Sequence, residues 1–242
     1  MDVFKVYLLD DTIKFEDKVF VTGFRSHIGQ TGYIAIRHLV DSLNAKKIGI
    51  IDTTYLPPSA FMGDNGILNP LELYILDDFV IFYPRAPPQR MEWNLISREL
   101  TKWVKSKNFK EAILIGGLDN EFKLDDETLK MSATSEYLRR YPNVKYSKLS
   151  KDLGIYGLLA LFLSYFEMLN FPAIALLPYA EKGRPDPRAA AVAIEEINKM
   201  YNKSLDTTAL IKDAEEIEKE IEAIMAQQQE HYKEKKEPDM FV

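Results

Sequence analysis

The residues best placed to do chemistry lie in a glycine-rich segment, residues 23–32, with the sequence Gly-Phe-Arg-Ser-His-Ile-Gly-Gln-Thr-Gly. We call this segment the glycine loop. It lies between a predicted strand and a predicted helix, and free N–H groups at the start of a helix can bind phosphate. Its Ser26 and His27 supply a hydroxyl and an imidazole, which nucleophilic catalysis uses when further groups orient them. The glycine loop is therefore the first candidate for a ligand site.

The spacing of the glycines argues for a structural role. It fits neither the dinucleotide-binding nor the P-loop pattern, and no lysine follows Gly32 where a P-loop needs one. The glycine loop therefore favours a tight turn and close packing. A ligand-binding protein or enzyme that uses residues 23–32 with Ser26, His27 or Asp52 is the alternative.

Metal and thiolate chemistry have little support. The chain has no cysteine, and its three histidines have no metal-ligand spacing. An acidic cluster follows a predicted strand, where open α/β sheets often bind ligands, but its spacing is not that of a calcium loop, and a solvated loop is the simpler interpretation. The cluster consists of Asp119, Glu121, Asp125, Asp126 and Glu127. We predict no catalytic residue, no cofactor and no bound metal.

The elements that position these residues predict an α/β protein. Continuous apolar runs at residues 19–22, 48–51, 112–115 and 173–177 are typical of strands buried on both faces. Residues 3–9 predict a further strand at an edge of the sheet, and residues 71–76 and 79–83 predict a hairpin. Helical periodicity near Thr31 and over residues 93–103 places helices between the strands. The expected fold is a three-layer α/β/α core with a mostly parallel sheet and a C-terminal helical extension.

The chain changes character after residue 177. Asp186 followed by Pro187 predicts a helix start, with a helix to about Tyr201 and another from near Asp206 to at least Gln228. We therefore divide the chain into a core domain at 1–205, an amphipathic helix at 206–232 and a flexible tail at 233–242.

Charge and length exclude some partners. The net charge is -6, and residues 206–242 alone hold 11 acidic and 5 basic residues, so that the rest of the chain is balanced. An acidic surface repels phosphate backbones, which argues against nucleic acid. The apolar run at residues 156–169 is too short to cross a bilayer, and no signal peptide is recognisable at the start. We expect a cytoplasmic protein that binds neither nucleic acid nor membrane.

The helix after Asp206 carries a narrow apolar stripe with heptad spacing. Its members are Leu210, Ala214, Ile217, Ile221 and Ile224, followed by Gln228 and His231. So narrow a stripe suits a neighbouring helix better than a sheet, which favours assembly or a partner helix. Packing of the helix on its own domain is the alternative.

The last three residues, Met240, Phe241 and Val242, follow a charged tract. Ten residues from 233 to 242 reach about 33 Å when extended, so the tip can search well beyond the domain. These three residues are the candidate partner-binding site, and an inert frayed end is the alternative.

Several motifs resemble a known family. They are the glycine loop, Gly-Gly-Leu-Asp at 116–119, Gly-Ile-Tyr-Gly at 154–157, Ala-Leu-Leu-Pro-Tyr at 175–179 and Pro-Asp-Pro-Arg-Ala-Ala at 185–190. Together, and in this order over nearly the whole chain, they resemble the proteasome assembly chaperone family, in particular its archaeal homologues.

The resemblance implies a non-enzymatic chaperone or adaptor that forms a homo-oligomer, with a ring as one form, and docks on the proteasome α-ring. In that family a terminal hydrophobic-tyrosine-any-residue motif enters pockets between α-subunits, where its carboxylate pairs with a lysine. Met240 and Val242 match this motif, whereas Phe241 replaces the tyrosine. A scaffold that binds a different protein through its C-terminal helices is a further alternative.

Overall fold

The computed structural model describes residues 3–64, 66–124 and 126–234, with the backbone alone for Glu222 and residues 225–234. The strands are β1 (Phe4–Leu8), β2 (Val19–Gly23), β3 (Lys46–Thr53), β4 (Phe61–Gly63), β5 (Gly66–Leu68), β6 (Leu71–Leu76), β7 (Phe79–Pro84), β8 (Glu111–Ile115), β9 (Leu118–Asp119), β10 (Leu129–Ala133) and β11 (Ala173–Ala180). The α-helices are α1 (Thr31–Arg37), α2 (Trp93–Ser106), α3 (Ser135–Arg140), α4 (Leu158–Met168), α5 (Pro187–Tyr201) and α6 (Thr208–Glu234).

One sheet organises the chain, with the strand order β1-β3-β6-β7-β2-β8-β11-β10 and with β9 beside the end of β11. The strands β7, β2, β8 and β11 are mutually parallel and form its middle. The strands on either side pair antiparallel, including the β6–β7 hairpin at its expected position. The expected α/β class is therefore confirmed, and the sheet is mixed, with its parallel part confined to the centre.

Alternation along the central strands gives the sheet two apolar faces. On β2, Phe20 faces the core shared with α2 and α4, while Val19 and Val21 face the core shared with α1 and α5. Phe162 of α4 lies 5.2 Å from Phe24 and 6.5 Å from Phe20, ring centre to ring centre, so aromatic packing fills the first core. The helices on both faces complete the three layers.

The predicted helices are confirmed at their starts. Asp186 caps α5 by accepting a hydrogen bond from the Ala189 N–H at 3.0 Å, and Pro187 occupies the first turn. The second helix begins at Thr208 rather than at Asp206. Among the described residues, no helix is long and apolar enough to span a membrane.

Candidate functional site

The glycine loop is fixed by the segment that follows β11. The Gly29 N–H donates to the Glu181 carbonyl at 2.7 Å, and the Gly29 carbonyl accepts from the Asp186 N–H at 2.8 Å. The Gly183 N–H donates to the His27 carbonyl at 2.8 Å. These three backbone hydrogen bonds tie the loop to the segment after β11 and occupy the Gly29 N–H, a donor that a bound anion could otherwise use. We call the glycine loop, residues 115–117 and residues 181–186 together the glycine junction.

Close backbone contacts explain two of the glycines. A Cβ atom on Gly32 would lie 2.2 Å from the Ile115 carbonyl oxygen, and one on Gly23 would lie 2.5 Å from the Gly32 carbonyl oxygen. Backbone atoms cannot rotate away as a side chain can, so only glycine fits at either position. Tight packing of α1 against the ends of β2 and β8 accounts for this pair.

The structure does not bring the proposed catalytic side chains together. The Ser26 hydroxyl donates to the Ile28 carbonyl at 3.0 Å, and among the described residues no hydrogen bond joins the Ser26 and His27 side chains. Asp52 lies on β3, opposite Lys5, with β6 and β7 between its strand and β2. Three strand spacings of about 4.8 Å separate it from the glycine loop.

The acidic cluster serves local structure where the structure describes it. Asp119 is buried, accepts a hydrogen bond from the Glu121 N–H at 3.1 Å and has the Lys182 ammonium 3.3 Å away. Asp125 lies outside the described residues. In the described part of the chain, no three histidine or acidic side chains are grouped so as to hold a metal ion.

A buried charge network surrounds Glu72 on β6, between β3 and β7. The sequence patterns do not predict it. Glu72 on β6 is fully buried and bonded by Lys47, by the Tyr74 hydroxyl at 2.6 Å and by Arg85 at 3.2 Å. Burial alone would raise the pKa of Glu72, but hydrogen bonds from Lys47, Tyr74 and the Asn69 amide hold it below its usual value. Tyr74 lies on the same strand as Glu72, but Lys47 is on β3 and Arg85 follows β7, so the two cationic partners are brought to Glu72 only by the pairing of the strands.

The apolar stripe of α6 is buried at its start and exposed further along. Leu210 and Ala214 are 2% and 3% exposed against the domain, whereas Ile217 and Ile221 are half-buried and Ile224 is 55% exposed. The side chains of Gln228 and His231 lie outside the described part. The first two turns of α6 therefore pack on α5, and the burial of the stripe decreases from Ile217 to Ile224.

Polar contacts fix the direction in which α6 leaves the domain. The Asn198 side chain donates to the Leu205 carbonyl and accepts from the Leu205 N–H, each at 2.9 Å. The His38 imidazole lies 2.7 Å from the Asp206 carbonyl oxygen. We call residues 198–206 with His38 the α5–α6 turn. It links the start of α6 to α5 and to the segment that follows α1.

A cleft of about 310 Å³ lies beside the base of α6. Its walls include Tyr179, Arg184, Arg188, Ala214 and Ile217. Arg188 bonds both carboxylate oxygens of Glu218 at 2.9 and 3.0 Å, which ties α5 to α6 across this cleft. The pair is about half exposed, so it orients the helix more than it stabilises the fold.

The predicted partner-binding residues Met240, Phe241 and Val242 lie outside the described residues. The helix that precedes them is described to Glu234. From Ala214 to Glu234 it extends about 30 Å at 1.5 Å per residue.

Comparison with known proteins gives relatives of the same fold. The Pyrococcus furiosus protein PbaA, an archaeal homolog of proteasome-assembly chaperone, superposes with a TM-score of 0.76 at 24% identity, over 95% of this chain and all of that one. Pyrococcus furiosus PbaB, an archaeal proteasome activator, gives 0.74 at 20% identity, over 92% of this chain and 98% of that one. The uncharacterized protein MJ0106 of Methanocaldococcus jannaschii is 25% identical over 222 residues, which are 89% of this chain and 88% of that protein.

The resemblance seen in the sequence motifs is thus confirmed at the level of fold. The family model described as the PAC2 family matches residues 20–225, which includes the whole glycine junction and the base of α6. With this match over most of its length, the chain belongs to the PAC2 family.

Proposed function

We propose that this protein is a non-catalytic assembly chaperone or adaptor of the cytoplasm that forms a homo-oligomer and docks its C-terminal segment on the proteasome α-ring. The family match and the likeness to PbaA and PbaB support a role around the proteasome. The observation that carries the docking role is the course of α6, whose apolar stripe is buried at Leu210 and 55% exposed at Ile224. Only the first two turns of this helix are fully buried against the domain.

In this proposal the exposed end of α6 is directed toward the partner. Met240, Phe241 and Val242 are the contact residues, and Leu210, Ala214, Ile217, Ile221 and Ile224 form the helix that assembles and orients them. Several tails in one oligomer raise the effective concentration of each tip at the partner's pockets, which offsets a weak single contact.

The arrangement of the glycine junction supports a non-catalytic role. Its backbone groups bond one another, and Ser26, His27 and Asp52 are not assembled into a catalytic set. The same features weigh against the alternative of a ligand-binding protein that uses residues 23–32.

Removal of residues 240–242 tests the docking role. We expect the truncated protein to keep its oligomeric state and to lose capture of a purified archaeal 20S proteasome, as measured by native mass spectrometry. Phe241→Tyr supplies a hydroxyl, and if the pocket contains a partner for it, one hydrogen bond of about 1 kcal/mol gives roughly fivefold tighter binding. Phe241→Ala, which removes the ring at the same position, is the matched control for Phe241→Tyr.

Unchanged capture after the truncation would contradict the role of the tip. The remaining alternative is a scaffold that binds a different protein through its C-terminal helices. Native mass spectrometry of affinity-purified complexes distinguishes it from proteasome docking, because such a scaffold would recover a partner other than proteasome subunits.

A further inference from the structure

The two edges of the main sheet are finished differently. At the β10 edge, the chain returns alongside the strand, with the Met131 N–H bonded to the Ser147 carbonyl at 2.9 Å and the Leu149 N–H to the Met131 carbonyl at 2.7 Å. At the opposite edge, β1 pairs with β3 and, among the described residues, with no strand on its outer side. One edge is covered and the other is open.

The hydrogen bonds to β3 show which groups of β1 face outward. The Thr54 N–H donates to the Val3 carbonyl, and the Leu9 N–H donates to the Ile48 carbonyl. In an antiparallel pair the backbone groups of alternate residues face the same side, so the odd-numbered residues face β3. The N–H and C=O groups of Phe4, Val6 and Leu8 therefore face away from the sheet and offer a template for another strand.

The sequence of β1 is complementary to itself. Around a two-fold axis at Val6, antiparallel pairing places Phe4 opposite Leu8 of a second copy and Val6 opposite Val6. This is the register in which all three outward-facing residues pair with one another, which gives six interchain hydrogen bonds. Neighbouring registers leave some of these groups without a β1 partner.

The side chains agree with the same register. On the exposed face, Val3 meets Leu9 of the second copy and Lys5 meets Tyr7. Val3, Tyr7 and Leu9 are 48%, 45% and 59% exposed, so pairing covers apolar surface that the single chain leaves open. The Lys5 ammonium already lies 4.3 Å from the Tyr7 ring centre within one chain, and the register adds an equivalent contact across the pair without opposing like charges.

We propose that β1 is a self-association surface, at which two copies of this chain pair antiparallel about Val6 and join their sheets into one. The surface is independent of residues 235–242, so its test uses oligomeric state and not proteasome capture. It gives the proposed homo-oligomer one defined two-fold contact.

Two substitutions at the exposed Tyr7 test the register, and both remove the tyrosine ring. Tyr7→Lys places an ammonium opposite Lys5 of the second copy, twice per pair, whereas Tyr7→Glu places a carboxylate there. At low salt we expect Tyr7→Lys to weaken association about tenfold relative to Tyr7→Glu, as measured by sedimentation velocity over a concentration series. The double variant Lys5→Glu/Tyr7→Lys restores association.

A backbone test is independent of charge. Val6→Pro removes an outward N–H without removing a bond to β3, and edge strands tolerate proline. We expect it to abolish the contact, and hydrogen exchange in the wild-type chain to show protected amides at Phe4, Val6 and Leu8 that lose protection on dilution. Equal association of Tyr7→Lys and Tyr7→Glu, or unprotected amides in the assembled protein, would overturn the proposal.

Discussion

The glycine junction and helix α6 differ in how completely contacts within the domain use their hydrogen-bonding groups and apolar side chains. At the junction, backbone donors and acceptors of the loop after β2 meet those of the loop after β11, and Gly32 leaves no room even for a methyl group. Along α6, the apolar stripe is buried at Leu210 and Ala214, half-buried at Ile217 and Ile221, and exposed at Ile224. The backbone groups of the glycine loop are thus used for contacts within the domain. The capacity to bind another molecule lies instead where contacts are unfinished.

The largest expected effect is at the junction. We expect Gly32→Ala to destabilise the fold by about 3 to 5 kcal/mol, because the new Cβ would lie 2.2 Å from a backbone oxygen that cannot move alone. Denaturant unfolding measures the change. Gly154→Ala is the matched control: its Cβ would meet the exposed Tyr156 ring, and we expect a change below about 1 kcal/mol. Equal stability of the two variants would mean that the backbone around Gly32 can move to accept a methyl group.

A smaller loss is expected at the base of α6. Leu210→Ala removes a buried side chain between α6 and the domain, and we expect a cost of about 2 to 3 kcal/mol. The same unfolding experiment measures it. A cost near zero would show that α6 detaches from α5 in solution, and the contrast between the two ends of its stripe would disappear.

The smallest effect is expected further along the same stripe. Ile224→Ser alters an isoleucine that is 55% exposed, and we expect the stability of the dilute protein to change by less than about 0.5 kcal/mol. The substitution should instead weaken assembly or partner capture, as read by native mass spectrometry. Destabilisation as large as that of Leu210→Ala would contradict the exposure of this end.

Much of the fold is predictable from local patterns. Buried parallel strands are continuous apolar runs, and the Asp186–Pro187 start of α5 is a capping signal, so both follow from neighbouring residues. Local patterns do not predict the strand β10 or the hairpin of β4 and β5. The five residues of β10 are interrupted by Lys130 and Ser132, and the strands of the hairpin have only three residues each.

The site is less predictable because it depends on long-range contacts. The heptad spacing identifies the stripe of α6 but not where its burial ends, since this depends on the length of α5 beside it. Likewise, the partners of Gly29 are Glu181 and Asp186, about 150 residues later in the chain. The openness of β1 depends on strand order, which local periodicity does not contain.

The α5–α6 turn has a mechanical consequence. Asn198 and His38 hold the base of α6, and Arg188 ties the helix to α5 at Glu218, so the helix acts as a lever whose pivot lies near Glu218. From Glu218 to Glu234 the arm is about 24 Å, and a tilt of about 10° at the pivot displaces the far end by about 4 Å. A slight repacking of Leu210 against α5 would therefore become a movement of several ångströms at Glu234. The contacts at the base of α6 thus limit how far the end of the helix can move.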